Sequence, residues 1–156
     1  KIADTRKPYL EDEAFHFSIS HCSNYAAAIV SRNKRVGVDI EVPTPKVERI
    51  KEKFLHAEEL ALLLEECRFE KSQSAAGESI SEQHLNQLTL LWSAKEAVFK
   101  WWSYGSVDFS EMIRLQPSLL QPSGLYPAFF LSKTEKHPLI IHYRMFEKLS
   151  LAWVVK

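Results

Sequence analysis

Three short stretches near the start of the chain predict β-strands, because the first and third alternate in the way that half-buried strands do and the second is an apolar run. The stretches cover residues 15–20, 25–30 and 36–41. In the first of them, Phe17 and Ile19 share one face of the strand, while Ser18 and Ser20 share the other. Because the connections between the stretches are short, we expect an antiparallel meander, with the basic segment 32–35 as a hairpin turn.

Helical spacing of apolar residues follows Pro43 and Pro45, which end the third strand. Apolar positions from Val47 to Phe54 and from 60 to 64 predict helical segments. A longer helix is predicted from about Ser81 to Trp102, with Ser81 as its N-cap and Gly105 as the residue that breaks it. The Ser-, Gln-, Ala- and Gly-rich segment 71–81 predicts a mobile loop between the two helical regions.

The last third of the chain returns to strand patterns. Three strands are predicted over 126–131, 139–146 and 149–155. Strands, then helices, then strands predict an α+β fold in which an antiparallel sheet packs against a long helix. At 156 residues, we expect one domain over 1–156.

Charge and cysteine content narrow the classes of partner. Lys plus Arg and Asp plus Glu both number 20, so the net charge is zero and we expect no nucleic-acid or membrane partner. No apolar run reaches the roughly 18 residues that span a bilayer. Cys22 and Cys67 have no zinc-type spacing, and two reduced thiols predict a cytoplasmic protein.

Two acids in the third strand are the first candidates for chemistry. Alternation puts Gly37, Asp39 and Glu41 on one strand face, where neighbours lie roughly 6.5–7 Å apart. Two carboxylates at that separation can flank one hard cation such as Mg²⁺, and Gly37 leaves room for a ligand beside them. The alternative is a strand with a solvated acidic face.

A ridge on the long helix is the second candidate. Trp92, Glu96 and Lys100 are spaced four residues apart and therefore line one side of the helix. A carboxylate and an ammonium beside a large aromatic ring suggest a helix that faces a cleft. The alternative is an exposed Glu–Lys pair, which contributes about 0.3–0.5 kcal/mol to the helix.

The order of the motifs resembles a known family. The chain carries Lys7-Pro8, then Phe17-Ser18-Ile19-Ser20-His21, then Gly37-Val38-Asp39-Ile40-Glu41, and then Trp92-Ser93-Ala94-Lys95-Glu96-Ala97-Val98-Phe99-Lys100. This order is similar to that of the surfactin-synthetase-activating type of 4′-phosphopantetheinyl transferases. The resemblance implies transfer of the 4′-phosphopantetheine arm of coenzyme A to a serine of an acyl or peptidyl carrier protein, with release of 3′,5′-ADP.

The resemblance also implies roles for individual residues. Three acids would hold Mg²⁺ on the diphosphate, and Glu96 would also help to remove the serine proton. Lys100 would neutralise the leaving phosphate, and Lys95 is a second candidate for a phosphate contact. The residues implied are Asp39, Glu41 and Glu96 for the metal, Glu96 and Lys100 for catalysis, and Lys7, Ser20, His21, Lys95 and Lys100 for the coenzyme.

Departures from the family pattern concern the coenzyme contacts and the extent of the chain. Arg6 stands where the family has Gly, Cys22 replaces a Ser, and one Gly after the long helix is absent. The resemblance implies two similar halves, with residues about 1–35 as the end of the first and about 36–156 as the second. Most of the first half would then be missing, and we expect the interface left open to favour self-association.

Two other functions remain open at this point. A half-enzyme could bind coenzyme A or a carrier protein without turnover. The same acids could also support a Mg²⁺-dependent pyrophosphate hydrolase that uses water as the nucleophile.

Overall fold

Within the part of the chain that the structure describes, seven strands and four helices combine in an α+β arrangement. The computed structural model describes residues 14–73, 82–116 and 121–156, with the backbone alone for 66–73. The predicted Ser81 N-cap, Lys7 and the first residues of the chain lie outside the described part. The elements are β1 His16–Cys22, β2 Tyr25–Ser31, β3 Val36–Glu41, α1 Lys46–Phe54, α2 Ala57–Gln73, α3 Glu82–Trp102, α4 Phe109–Met112, β4 Ile113–Leu115, β5 Ser123–Leu131, β6 Lys136–Phe146 and β7 Leu149–Val155.

A five-stranded antiparallel sheet forms the centre of the fold. Its strand order is β3-β7-β6-β5-β4, and β3 lies at one edge. Apolar side chains on one sheet face, such as Tyr126, Ile141 and Val154, pack against the apolar side of α3 around Leu91 and Val98. This packing confirms the predicted α+β fold class, with an antiparallel sheet against a long helix.

The first two strands form a separate hairpin, so the predicted three-strand meander is wrong. Strand β2 pairs with β1, whereas β3 pairs with β7. Strand β1 nevertheless lies alongside β3, because the Ser18 and Ser20 hydroxyls accept hydrogen bonds from the Val38 and Ile40 backbone N–H groups at 3.1 and 3.3 Å. The serine hydroxyls thus take the place of backbone carbonyls along this edge.

The hairpin buries its polar face, which is the opposite of the usual pattern for an alternating strand. Ser18 and Ser20 are 3% and 6% exposed, whereas Ile19 is 53% and Val30 64% exposed. Val30 pairs with Phe17, so the exposed apolar residues share one face of the hairpin. The expected self-association through an open apolar face stays a prediction.

Several predicted boundaries shift in the structure. Helix α2 continues to Gln73, so residues 71–73 are helical and the predicted loop start at Lys71 is wrong. The rest of that predicted loop lies outside the described residues. Helix α4 and strand β4 were not predicted, because elements of four and three residues carry too little periodicity. No helix in the described part of the chain is long and apolar enough to cross a membrane.

Candidate active site

Strand β3 and helix α3 approach each other closely, and this contact places Asp39 and Glu41 of the strand on the side that faces Glu96 of the helix. Gly37 makes the approach possible: a Cβ there would lie 2.0 Å from the Ala97 carbonyl oxygen and 2.6 Å from the Trp101 nitrogen. The prediction that Gly37 leaves room for a ligand is therefore wrong, because the helix backbone fills that space. Asp39 and Glu41 follow on the same strand face and point towards the same helix.

Asp39 lies at the centre of a buried polar network. Its Oδ1 accepts hydrogen bonds from Ser20 Oγ at 2.8 Å and from Lys100 Nζ at 2.6 Å, and its Oδ2 accepts one from Ser93 Oγ at 3.0 Å. Lys100 Nζ also donates to Ser20 Oγ at 2.8 Å. Asp39 is 2% exposed, so these donors replace the water that a charged carboxylate needs.

Glu96 is half-buried and lies on α3 one turn before Lys100. Burial first, and then the negative charges of Asp39 and Glu41, raise its pKa from 4.5 to about 7, although the charge of Lys100 opposes the rise. None of the hydrogen bonds or ion pairs among the described residues engages this carboxylate. Glu96 is therefore the acid of the group most open to a ligand or a proton.

Glu41 lies at the solvent end of the same strand face. Trp92 Nε1 donates to Glu41 Oε1 at 3.4 Å, and the Cys22 side chain also hydrogen-bonds to this carboxylate. Burial and then the charge of Asp39 raise the pKa of Glu41, which the two hydrogen bonds and Lys100 counteract. Because the charges of Asp39, Glu41 and Glu96 affect one another, the three acids share one electrostatic environment.

The donor set suits a hard cation, although it does not form a finished metal cage. Within residues 14–73, 82–116 and 121–156, no three His, Cys, Asp or Glu side chains converge on one metal position. The Lys100 ammonium provides the positive charge next to Asp39 instead. Three mutually repelling carboxylates with a raised pKa at Glu96 nevertheless fit Mg²⁺, which takes carboxylates together with substrate oxygens and waters.

Lys95 is not brought to this group. Its side chain is 0% exposed, and Nζ donates to Glu59 Oε2 at 2.6 Å, to the Phe109 carbonyl at 3.0 Å and to the Ile113 carbonyl at 2.8 Å. All three ammonium protons are thus used inside the protein. Lys95 joins α3 to α2, α4 and β4, and we do not retain it as a phosphate contact.

The remaining predicted coenzyme residues divide between the buried network and the surface. Ser20 is part of the Asp39 network, as described above. His21 follows it on the opposite, exposed face of β1 and so points away from the acids. Lys7 lies outside the described residues. The predicted phosphate contacts of Lys7 and His21 both stay predictions.

Two residues of the site were missed by sequence reasoning. Ser93 donates to Asp39, and Trp92, which was given no role beyond the ridge, donates to Glu41. Helical spacing could have identified Ser93, because it lies three residues before Glu96 and seven before Lys100 on nearly the same side of α3. The sequence does not reveal the direction of the Trp92 N–H.

Comparison with known proteins identifies the class of protein to which this arrangement belongs. Residues 35–154 match the family model of the 4′-phosphopantetheinyl transferase superfamily, and the chain belongs to that superfamily. A similar protein is enterobactin synthase component D from Salmonella austin, which is 38% identical over 99 residues. That alignment covers 64% of this chain and 36% of the relative, so the chain spans about a third of the relative's length.

Proposed function

We propose that this protein transfers the 4′-phosphopantetheine arm of coenzyme A to a serine hydroxyl of an apo acyl or peptidyl carrier protein. The serine oxygen bonds to the phosphorus that bears the arm, and the bond from that phosphorus to the bridging oxygen breaks. The products are the holo carrier protein and 3′,5′-ADP, and the serine proton passes to a base. Membership of the superfamily supports this reaction class.

The observation that carries the proposal is the network of Asp39, Ser20, Ser93 and Lys100 beside Glu96. A diphosphate ester is polyanionic, so its transfer depends mainly on positioning and on neutralising charge. Asp39, Glu41 and Glu96 would hold Mg²⁺, which when bound supplies positive charge against the diphosphate oxygens. Lys100, held at the edge of this group, would exchange its contact with Asp39 for the leaving phosphate.

Glu96 is the proposed base for the serine proton. Without a bound cation, burial holds the pKa of Glu96 at about 7, so this carboxyl group exchanges a proton near neutral pH. Its half-buried position leaves the carboxylate within reach of a substrate, while burial excludes bulk water from one side. We assign Glu96 both a place beside the cation and the proton transfer, directly or through a water molecule.

A mass measurement on the carrier protein tests the proposal. The full chain is incubated with coenzyme A, Mg²⁺ and either an apo-acyl or an apo-peptidyl carrier, and one phosphopantetheine unit per carrier is the expected gain. Glu96→Gln and Lys100→Met should lose at least 100-fold in rate. Glu52→Gln, an exposed acid on α1, is the matched control and should keep wild-type activity.

The outcome also separates the two alternatives. Coenzyme A binding with no mass gain on either carrier would contradict turnover and favour a binding module. Release of 3′,5′-ADP without a carrier protein would favour a pyrophosphate hydrolase. Full activity of Glu96→Gln would remove Glu96 from the mechanism.

A further inference from the structure

The Ser93 hydroxyl does not make the hydrogen bond that is usual for a hydroxyl inside a helix. Thr89, one turn earlier on α3, makes the usual one, since its Oγ1 donates to the Leu85 carbonyl of the same helix at 2.7 Å. The Ser93 hydroxyl instead donates across to Asp39 Oδ2 on β3 at 3.0 Å. A serine of α3 therefore acts on the acid of the neighbouring strand and not on its own helix.

We propose that Ser93 is a positioning residue for the transfer reaction, because it fixes the Asp39 carboxylate and keeps one acceptor position of Oδ2 available to the cation. This role rests on the proposed function, since it concerns the same metal-bound diphosphate. It goes beyond that function by assigning a task to a residue that acts through Asp39 and not on the coenzyme.

The Asp39 carboxylate has most of its acceptor positions occupied. The two oxygens of a carboxylate offer about four lone-pair positions. Oδ1 uses two of them, for Ser20 Oγ at 2.8 Å and for Lys100 Nζ at 2.6 Å, and Oδ2 uses one for Ser93. The position that remains is on Oδ2, the oxygen that Ser93 holds, and it is the one through which Asp39 can bind a cation.

The contact with Ser93 matters most when Lys100 has moved. In the proposed reaction, Lys100 exchanges its contact with Asp39 for the leaving phosphate. Among the described residues, the donors that remain on the carboxylate are then Ser20 on Oδ1 and Ser93 on Oδ2. One donor on each oxygen prevents the carboxylate from rotating, whereas Ser20 alone would leave Oδ2 free to swing about Oδ1. Ser93 thus keeps Asp39 oriented after its ion pair with Lys100 is broken.

The alignment of β3 with α3 places Ser93 opposite Asp39. Gly37 on the strand lies against Ala97 and Trp101 of the helix. Two residues along a strand cover about 6.6 Å and four residues along a helix about 6.0 Å, so the two elements stay in step as they run in opposite directions. Asp39, two residues after Gly37, therefore meets Ser93, four residues before Ala97. The same backbone contact that positions the acids also fixes the serine beside one of them.

Burial makes the Ser93 hydrogen bond hard to replace. Ser93 is 0% and Asp39 2% exposed, so bulk water does not reach the contact between them. Replacing the hydroxyl with hydrogen leaves a gap smaller than a water molecule, and no new donor can enter it. Hydrogen bonds to a charged group are about twice as strong as neutral ones. Residues that orient a metal ligand in this way typically contribute about 10–100-fold to metal affinity.

Binding of Mn²⁺, which takes the same oxygen ligands as Mg²⁺, measures the role of Ser93. Electron paramagnetic resonance gives the Mn²⁺ affinity of the full chain with coenzyme A present, for wild type and for Ser93→Ala. Thr89→Val is the matched control, because it also removes one buried hydroxyl from α3, but that hydroxyl bonds to the Leu85 carbonyl and not to Asp39. Calorimetry with 3′,5′-ADP, which lacks the diphosphate, measures binding of the nucleotide part without metal.

We expect Ser93→Ala to weaken coenzyme-dependent Mn²⁺ binding by about 10–100-fold, while its affinity for 3′,5′-ADP stays within about twofold of wild type. Thr89→Val should bind both as wild type does. Unchanged Mn²⁺ affinity in Ser93→Ala would overturn the role. Equal weakening in Thr89→Val would overturn it as well, because the loss of any buried hydroxyl from α3 would then be enough. Loss of 3′,5′-ADP binding together with Mn²⁺ binding would also contradict it, since Asp39 would not be the point of action.

Transfer kinetics separate positioning of Asp39 from a direct part in the chemistry. Ser93→Ala should need about 10–100-fold more Mn²⁺ to reach half of its maximal rate, while kcat at saturating Mn²⁺ stays within about threefold of wild type. A loss of kcat that excess Mn²⁺ does not restore would contradict positioning through the cation.

Failure of this role and failure of the proposed function give different results. If wild type and Ser93→Ala both bind Mn²⁺ equally well with coenzyme A and both modify the carrier, the role of Ser93 is overturned and the proposed function stands. If wild type shows no coenzyme-dependent Mn²⁺ binding, the proposed function loses its metal-bound diphosphate, and the role of Ser93 is overturned with it.

Discussion

Replacing Gly37 with alanine tests the contact on which the whole site depends. The added Cβ would lie 2.0 Å from the Ala97 carbonyl oxygen, about 1.4 Å closer than an ordinary van der Waals contact of 3.4 Å. It would also lie 2.6 Å from the Trp101 nitrogen, which is the helical hydrogen-bond partner of that carbonyl. Neither atom can move aside by rotating a side chain, so β3 and α3 must separate.

The expected cost follows from this geometry. Adding a methylene to a packed core costs about 1–3 kcal/mol, and a clash with helix backbone belongs at or above the upper end of that range. Separation of the two elements also moves Asp39 away from Ser93 and Lys100, which both belong to α3. We therefore expect Gly37→Ala to lose about 3 kcal/mol or more of unfolding free energy and most of its coenzyme A binding.

Urea unfolding and calorimetry with coenzyme A measure the two effects. Gly124→Ala is the comparison variant, because its added Cβ meets the hydroxyl and ring of Tyr143 at 2.7–2.9 Å, which are side-chain atoms and not helix backbone. The comparison variant should cost less than Gly37→Ala and should retain binding. Stability of Gly37→Ala within about 0.5 kcal/mol of wild type, with normal binding, would refute the close strand–helix contact.

Three further predictions concern charge and backbone conformation. Glu59→Gln leaves the buried Lys95 ammonium without its carboxylate and should lower the free energy of unfolding in urea by about 3–5 kcal/mol. The double variant Lys95→Met, Glu59→Gln should lose less unfolding free energy than the sum of the two single changes. Glu96 has a pKa of about 7 in the folded protein against 4.5 in the unfolded chain. Wild type should therefore lose unfolding free energy relative to Glu96→Gln as pH rises from about 4.5 to 7, by at most about 3 kcal/mol. A difference in unfolding free energy that does not change with pH would contradict the raised pKa. Ser103 has a φ of 68°, which favours glycine, and its hydroxyl donates to the Lys100 and Trp101 carbonyls. Both variants lose these hydrogen bonds, but only alanine keeps a Cβ at this φ, so Ser103→Ala should lower the thermal midpoint more than Ser103→Gly does. The reverse order would contradict this prediction.

Local periodicity predicted the elements well where they are regular. The bounds of β3 and β7 are those that alternation predicts, and α3 begins one residue from its expected start. These segments are long or strongly patterned, which makes their periodicity easy to recognise. The spacing that placed Trp92, Glu96 and Lys100 on one ridge comes from the same helical geometry.

Strand pairing could not be predicted, because alternation within a strand does not identify its neighbour. Glu41 pairs with Ser150, more than one hundred residues away, and not with the adjacent hairpin. The buried face of β1 was unexpected for a related reason. Ser18 and Ser20 are buried because their hydroxyls bond to the backbone of β3, which is a long-range contact that overrides the apolar pattern.

Lys95 shows why residue type alone does not assign a site. A lysine next to the proposed catalytic glutamate suggests a phosphate contact, but Lys95 lies about 100° from Glu96 around the helix and is buried. Its partner Glu59 lies 36 residues earlier, and only the folded chain brings the two together. The motif therefore combines two tasks: Lys95 anchors the helix, and Glu96 faces the proposed ligand.

The most direct test of the central claim is a titration of the protein with Mn²⁺, followed by electron paramagnetic resonance in the presence of coenzyme A. Mn²⁺ replaces Mg²⁺ at carboxylate and phosphate sites and reports bound and unbound metal without requiring turnover. We expect one coenzyme-dependent Mn²⁺ per chain, which is lost in both Asp39→Asn and Glu96→Gln and retained in Glu52→Gln. Undiminished Mn²⁺ binding in Asp39→Asn and Glu96→Gln would contradict the claim that β3 and α3 together hold a metal-bound diphosphate.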